Sequence, residues 1–166
     1  KVLHEKKIDA EIIKDLNNGI TLKCNPRSIK NLPGYSDGLW TIQDRSSQWV
    51  APLLNPKKGE KVLDACAAPG SKSTHLAELA NDSAEILAVD RSARRLKMLQ
   101  SNLDRLHLKS VNTLNADATS LIKYNPKLIS YFDKILLDAP CSGIGTLSRN
   151  PDSRWSLSKE KIKSLI

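Results

Sequence analysis

Four short apolar runs alternate with helical patterns along this chain, and that alternation limits what it can fold into more than any other feature. Lys61-Val62-Leu63-Asp64-Ala65, Glu85-Ile86-Leu87-Ala88-Val89, Val111-Asn112-Thr113-Leu114 and Phe132-Asp133-Lys134-Ile135-Leu136-Leu137 read as strands. Between the first two, Ser73 to Ala80 predicts a helix. Between the second and third, Leu96, Leu99, Leu103 and Leu106 recur at i, i+3, i+7 and i+10, so Ser92 to Leu106 predicts a helix with one apolar face. Largely apolar strands joined by helices pair in parallel and are buried on both faces. The expectation is an α/β chain with a doubly wound sheet, free of internal repeats and low-complexity tracts.

Such a sheet binds its ligand beyond the carboxyl ends of its strands. Here every one of those ends is polar or flexible: Asp64 through Ser71, then Asp90, then Asn115-Ala116-Asp117, then Asp138-Ala139-Pro140-Cys141. The first loop, Ala67-Ala68-Pro69-Gly70-Ser71-Lys72, has neither the spacing of a dinucleotide fingerprint nor that of a phosphate loop. Small residues and one glycine let a ligand approach the backbone, and the helix start beyond offers N–H groups to a carboxylate. An ordinary strand-to-helix turn is the plain alternative. Asp90 is placed to accept from both ribose hydroxyls, or to cap the helix after it. Asp117 suits an adenine amine, or a turn. Cys141 is a thiol at a strand tip, or a small half-buried apolar residue. Taken together, the loop and the acids favour an adenosine-containing cofactor.

The 166 residues suit one ordinary domain, and 26 Lys+Arg against 18 Asp+Glu give a net charge of +8, which points to an anionic partner such as nucleic acid. Cys24, Cys66 and Cys141 show no metal-ligand spacing, which suggests a reducing, cytoplasmic setting without a metal. No apolar run reaches the ~18 residues of a membrane span, and the first residues lack initiator Met and signal-peptide character, so the chain reads as a piece of a longer protein. Residues 1–40 read as the end of a preceding domain plus linker, with a helix over Ile8 to Leu16, a strand over Ile20 to Cys24 and turn material from Leu32 to Gly38. Residues 41–166 read as the N-terminal portion of the sheet domain, opening with a helix capped by Asp44 or Ser46 and stopped at Asn55-Pro56.

Two longer motifs carry a resemblance. Asp64-Ala65-Cys66-Ala67-Ala68-Pro69-Gly70-Ser71-Lys72-Ser73-Thr74-His75 and Asp138-Ala139-Pro140-Cys141-Ser142-Gly143, in this order at the right strand ends, resemble the Sun (Fmu) family of RNA (cytosine-5)-methyltransferases, which includes the bacterial enzymes acting on 16S ribosomal RNA. Leu32-Pro33-Gly34-Tyr35, Gly38, Gln43-Asp44, Arg149-Asn150-Pro151-Asp152 and Trp155 match as well. The resemblance covers residues 32–166 well and the first thirty poorly.

The resemblance implies a class I, Rossmann-like methyltransferase sheet binding S-adenosylmethionine. Cys66, Ala67, Ala68, Pro69, Gly70, Ser71 and Lys72 would hold the methionine part, Asp90 the ribose and Asp117 the adenine edge, with Asp138 beside cofactor and target base. The family usually has Gly-Gly-Lys where this chain has Gly70-Ser71-Lys72, a departure that matters only if position 71 needs a positive φ. In the family a thiolate adds to carbon 6 of the unstacked cytosine so that carbon 5 can attack the methyl donor, and a base then removes the carbon 5 proton. A later Thr-Cys cysteine attacks, and the Pro-Cys cysteine, here Cys141, assists product release. In DNA cytosine methyltransferases the Pro-Cys cysteine is the nucleophile, which leaves that role open for Cys141.

This sequence contains no Thr-Cys pair, and four of the usual seven strands can be read, so the expectation is a fragment that does not turn over alone and lacks the C-terminal strands of its own domain. RNA contacts are expected at Arg149, Arg154 and Trp155, with ribosomal RNA as the partner. The run Arg91, Arg94, Arg95, Lys97, Arg105, Lys109 reads as the solvated face of the leucine-striped helix, and His75 as structural. The alternatives are a non-catalytic module holding S-adenosylmethionine or RNA, and an enzyme acting on transfer RNA. A nicotinamide-dependent dehydrogenase is disfavoured by the missing glycine fingerprint.

Overall fold

The apolar runs do assemble side by side. The computed structural model describes residues 3, 6, 8–16, 18–23, 28–141, 143, 145, 151, 152, 155 and 158. Four strands, β3 (Lys61–Asp64), β4 (Glu85–Asp90), β5 (Val111–Asn115) and β6 (Lys134–Leu136), form one sheet in the order β5-β4-β3-β6. Every pairing in it is parallel, with Val62 opposite both Ile86 and Lys134, and Ile86 opposite Val111. The chain runs outward from β3 through β4 to β5, then returns to the far side of β3 as β6. That reversal opens a crevice beyond the carboxyl end of β3, where ligands sit in open parallel sheets.

Two helices cover one face of the sheet. In α3 (Ala93–Leu106), Leu96, Leu99 and Leu103 are buried, each contributing roughly 1.5–3 kcal/mol relative to exposure. The Ser92 hydroxyl accepts from the Arg95 N–H to start this helix, and His107 ends it in a left-handed conformation at φ 58°. In α2 (Ser71–Leu79) the buried residues are Ser73, Thr74, Leu76 and Ala77, three of them small, so the helix lies close against the sheet. Val62, Ile86, Ala88, Val111 and Leu136 meet these helices in the main core.

Strand residues alternate between faces, and the opposite set, Leu63 and Val89, meets Ala65 and Leu121 in a smaller cluster. Among the described residues that second face carries the β5–β6 connection, with two short 3-10 turns flanking α4 (Leu121–Tyr124) and Phe132 packed alongside. The expected burial on both faces is therefore full on one face and partial on the other, where Leu114 and Ile135 are exposed. No helix among the described residues is long and apolar enough to cross a membrane.

The N-terminal segment corrects the sequence reading. Instead of a helix over Ile8 to Leu16, β1 (Ala10–Ile12) pairs antiparallel with β2 (Ile20–Leu22). The Ile13 N–H donates to the Gly19 carbonyl, the Lys23 N–H donates to the Asp9 carbonyl, and Asn18 takes the turn at φ 62°. Isoleucine at 12, 13 and 20 suits extended backbone, and this pairing outweighs a weak helical period. The expected strand end at Cys24 lies outside the described residues. The helix expected after Asp44 begins as a 3-10 turn at Ser47–Trp49 and continues as α1 (Val50–Leu54). Asp44 holds the turn that opens it, its carboxylate accepting from the N–H and hydroxyl of Ser46 and its carbonyl from the Gln48 N–H.

The turn-rich stretch after Leu32 is pinned to the end of α3. Trp40 Nε1 donates to the Pro33 carbonyl, and the Arg105 guanidinium lies 4.0 Å over the Tyr35 ring while donating to the carbonyls of Tyr35 and Trp40. Gly38, at φ +72°, passes so near the Arg105 carbonyl that a Cβ there would lie 2.0 Å from its oxygen.

Candidate functional site

The crevice is built first by the loop that leaves β3. Its backbone is tied to both neighbouring strands, since the Ala65 N–H donates to the Leu136 carbonyl and the Ala67 N–H to the Val89 carbonyl. Asp64, at the strand end, is 1% exposed and accepts from the Ser73 hydroxyl at 2.6 Å. Ser73 lies in the first turn of α2, so this bond closes the loop at its base. Burial pushes the Asp64 carboxyl up to about 6, against the opposing pull of that hydroxyl.

Gly70 is the residue the loop cannot replace. It holds φ +105°, and a Cβ would lie 2.2 Å from Leu99 Cδ1. Ser71 is the first residue of α2 and is not in the positive-φ region. The serine that departs from the family's Gly-Gly-Lys therefore imposes no strain.

Asp90 closes β4 and is 6% exposed. One carboxylate oxygen accepts from the Ala68 N–H at 3.1 Å and the other from the Ser92 N–H at 2.8 Å. The Arg95 guanidinium lies 3.5 Å from the first oxygen and also donates to the Ala68 carbonyl. The end of β5 joins the group, with the Asn115 side chain and the Ala116 N–H both donating to the Asp90 carbonyl. Asp117 caps the 3-10 turn at Ala118–Ser120, accepting from the hydroxyl and N–H of Thr119, and these bonds hold its carboxyl below the usual range. Its other oxygen lies 3.8 Å from Arg91.

From β6 comes Asp138, ion-paired with Lys72 at 2.6 Å. This contact joins the start of α2 to the loop after β6. Cys141 follows three residues later and is exposed, while Cys66 is half-buried, its thiol pushed up by burial and by Asp90. His75 stands apart from these groups. It lines a cavity of about 720 Å³ with Trp40, Gln43 and Glu78, and burial pulls its pKa down. Gln43 reaches the start of α2, donating to the Ser71 carbonyl at 3.5 Å. Of the expected RNA contacts, Arg149 and Arg154 lie outside the described residues, and Trp155 is 85% exposed.

The crevice thus gathers carboxylates from the ends of β4 and β6, a third just past β5, and a glycine loop opening a helix. Such a set accepts from hydroxyl and amine donors and tolerates a cationic ligand. A model of the 16S rRNA methyltransferase RsmB/F family matches residues 51–166. The chain belongs to the RsmB/F family. A probable ribosomal RNA small subunit methyltransferase B of Synechocystis sp. is 42% identical over 164 residues, 99% of this chain and 36% of that protein. Among solved structures, a methyltransferase homolog protein from Pyrococcus horikoshii is 35% identical with a TM-score of 0.78, over 97% of this chain and 49% of that one. NSun6 from the same organism, solved with SFG, is 35% identical with a TM-score of 0.65, over 76% and 33%. The RsmB/F chain described here therefore spans about 36% of the length of its curated relatives.

Sequence reasoning reached the acids of this RsmB/F crevice because they punctuate strand ends. It missed the partners. Ser73 looked like one more helix residue, and Lys72 gave no hint of pairing with Asp138. Arg95 was read as solvated face, and nothing in the sequence sets it apart from its neighbour Arg94 in the same turn.

Proposed function

We propose that this chain is the S-adenosylmethionine-binding part of an enzyme that methylates carbon 5 of cytosine in 16S ribosomal RNA. The observation that carries the reading is the Lys72–Asp138 contact at 2.6 Å, which brings the start of α2 and the Pro-Cys loop after β6 to one crevice. The donor chemistry of S-adenosylmethionine fits the residues present. Its ribose hydroxyls and adenine amine call for acceptors, which Asp90 and Asp117 supply, and its ammonium and sulfonium groups favour an acidic edge, which Asp138 extends. When bound, it supplies an electrophilic methyl group. A relative solved with SFG, an analogue of this cofactor, supports the assignment.

In this reading the loop from Cys66 to Lys72 holds the methionine part, with Gly70 allowing the close turn into α2. Lys72 holds the Asp138 carboxylate at the crevice, where it meets both the cofactor and the target base. Cys141, exposed at the same edge, assists release of the methylated base. The sequence contains no Thr-Cys pair, so the attacking thiolate comes from elsewhere in the parent protein. Trp155, exposed just after the crevice loop, and the neighbouring Arg149 and Arg154 contact RNA. The net charge of +8 favours that polyanion.

Two measurements test this. In calorimetric titration, the wild type binds S-adenosylmethionine and Asp90→Ala weakens binding at least tenfold; equal affinities sink the ribose assignment. In a methyl-transfer assay on 16S ribosomal RNA, this chain alone gives no sustained turnover. Turnover that Cys141→Ser abolishes would instead make Cys141 the nucleophile.

A further inference from the structure

The backbone of Ala68 is held on both sides. Its N–H donates to Asp90 at 3.1 Å, and its carbonyl accepts from the Arg95 guanidinium. A second nitrogen of the same guanidinium lies 3.5 Å from the Asp90 oxygen that receives the Ala68 N–H. Backbone, carboxylate and guanidinium thus form a closed ring across the crevice loop, the end of β4 and the start of α3. Arg95 occupies the first turn of α3, a turn without an acidic residue, where the helix dipole opposes a cation. Only a planar fork with several donors reaches a carbonyl and a carboxylate together; an ammonium group is a point charge without that geometry.

We infer that Arg95 is a positioning residue for the cofactor site, fixing the Ala68 backbone and setting which acceptor of Asp90 faces the ligand. A carboxylate offers about four acceptor positions. The Ala68 N–H takes one position of one oxygen, with the Arg95 cation 3.5 Å from it, and the Ser92 N–H takes one of the other. The expectation from sequence was that Asp90 accepts from both hydroxyls. With the ring closed, the positions left on the two oxygens are the ones aimed at the ribose. This inference rests on the cofactor reading above and deepens it.

The test combines hydrogen exchange at the Ala68 amide with calorimetric titration by S-adenosylmethionine, on wild type, Arg95→Ala and Arg95→Lys. Arg95→Ala should speed Ala68 exchange at least tenfold and weaken binding about tenfold, with the melting temperature little changed because the side chain is half-exposed. Arg95→Lys should recover part of the affinity, since it restores a charge beside Asp90, while Ala68 exchange stays fast because the fork is lost. Unchanged exchange and affinity in Arg95→Ala overturn the proposal, as does an affinity loss matched by global destabilisation. If the wild type fails to bind S-adenosylmethionine, the cofactor reading and the ribose assignment fall together; the exchange measurement then judges the ring by itself.

Discussion

Asp64 sets burial against ionisation. Its carboxyl is buried at the end of β3 with one hydroxyl donor, and its folded pKa of about 6 stands above the ordinary 3.8. The folded state therefore holds a proton that the unfolded state has released between about pH 4 and 6. Stability attributable to this group falls as pH rises through that window and is level on either side. Asp64→Asn keeps an acceptor for Ser73 and removes the titration. Relative to wild type it should gain stability between pH 4 and 7.5, by roughly 3 kcal/mol in all. Denaturant unfolding of both proteins at the two pH values checks this, and a difference independent of pH would refute it. That Asp64 ends a strand was legible from its place after an apolar run. Its raised pKa was not, because burial depends on α2 packing over it and on a serine nine residues away.

At the scale of elements, α3 was the most legible part of the chain, since a leucine stripe at helical spacing leaves little choice of face. The stripe has a second use that spacing does not reveal: Leu99 fills the space where a side chain on Gly70 would go. The crevice loop is thus shaped partly by a helix that begins more than twenty residues later. Gly70→Ala should destabilise by about 1–3 kcal/mol through overlap and by a further ~1–2 kcal/mol through its left-handed backbone. Leu99→Ala alone should cost about 2–5 kcal/mol by leaving a cavity. Combined, the two should cost less than their sum, because the overlap vanishes and only the backbone strain is added. Thermal unfolding of the four proteins closes the cycle, and strict additivity would mean that the two residues do not meet. The hairpin of β1 and β2 was the least legible element. Its three-residue strands depend on partners across a turn, which a local period does not see.

For the whole molecule, parallel pairing was legible from apolar strands alternating with helices, whereas the strand order was not. The position of β6 beside β3 is decided by contacts such as the Lys61 N–H donating to Asp133, 72 residues apart. By contrast β3, α2, β4, α3 and β5 are sequential neighbours. Short-range units assemble before long loops are closed. Ile86→Val, in β4, should therefore mainly slow folding, and Leu136→Ala, in β6, should mainly speed unfolding. Stopped-flow chevrons of the two variants check the assignment, and the reverse pattern would refute it.

The position of β6 also dates the parts of the crevice. Ala68, Gly70 and Asp90 come from the sequential units and are in place early, whereas Asp138 and Cys141 arrive only when the last strand closes on β3. A chain emerging from the ribosome would then complete the half beside β4 before the half that presents Cys141. On the function proposed above, an incomplete chain would hold its cofactor without yet having assembled the groups that act on a base.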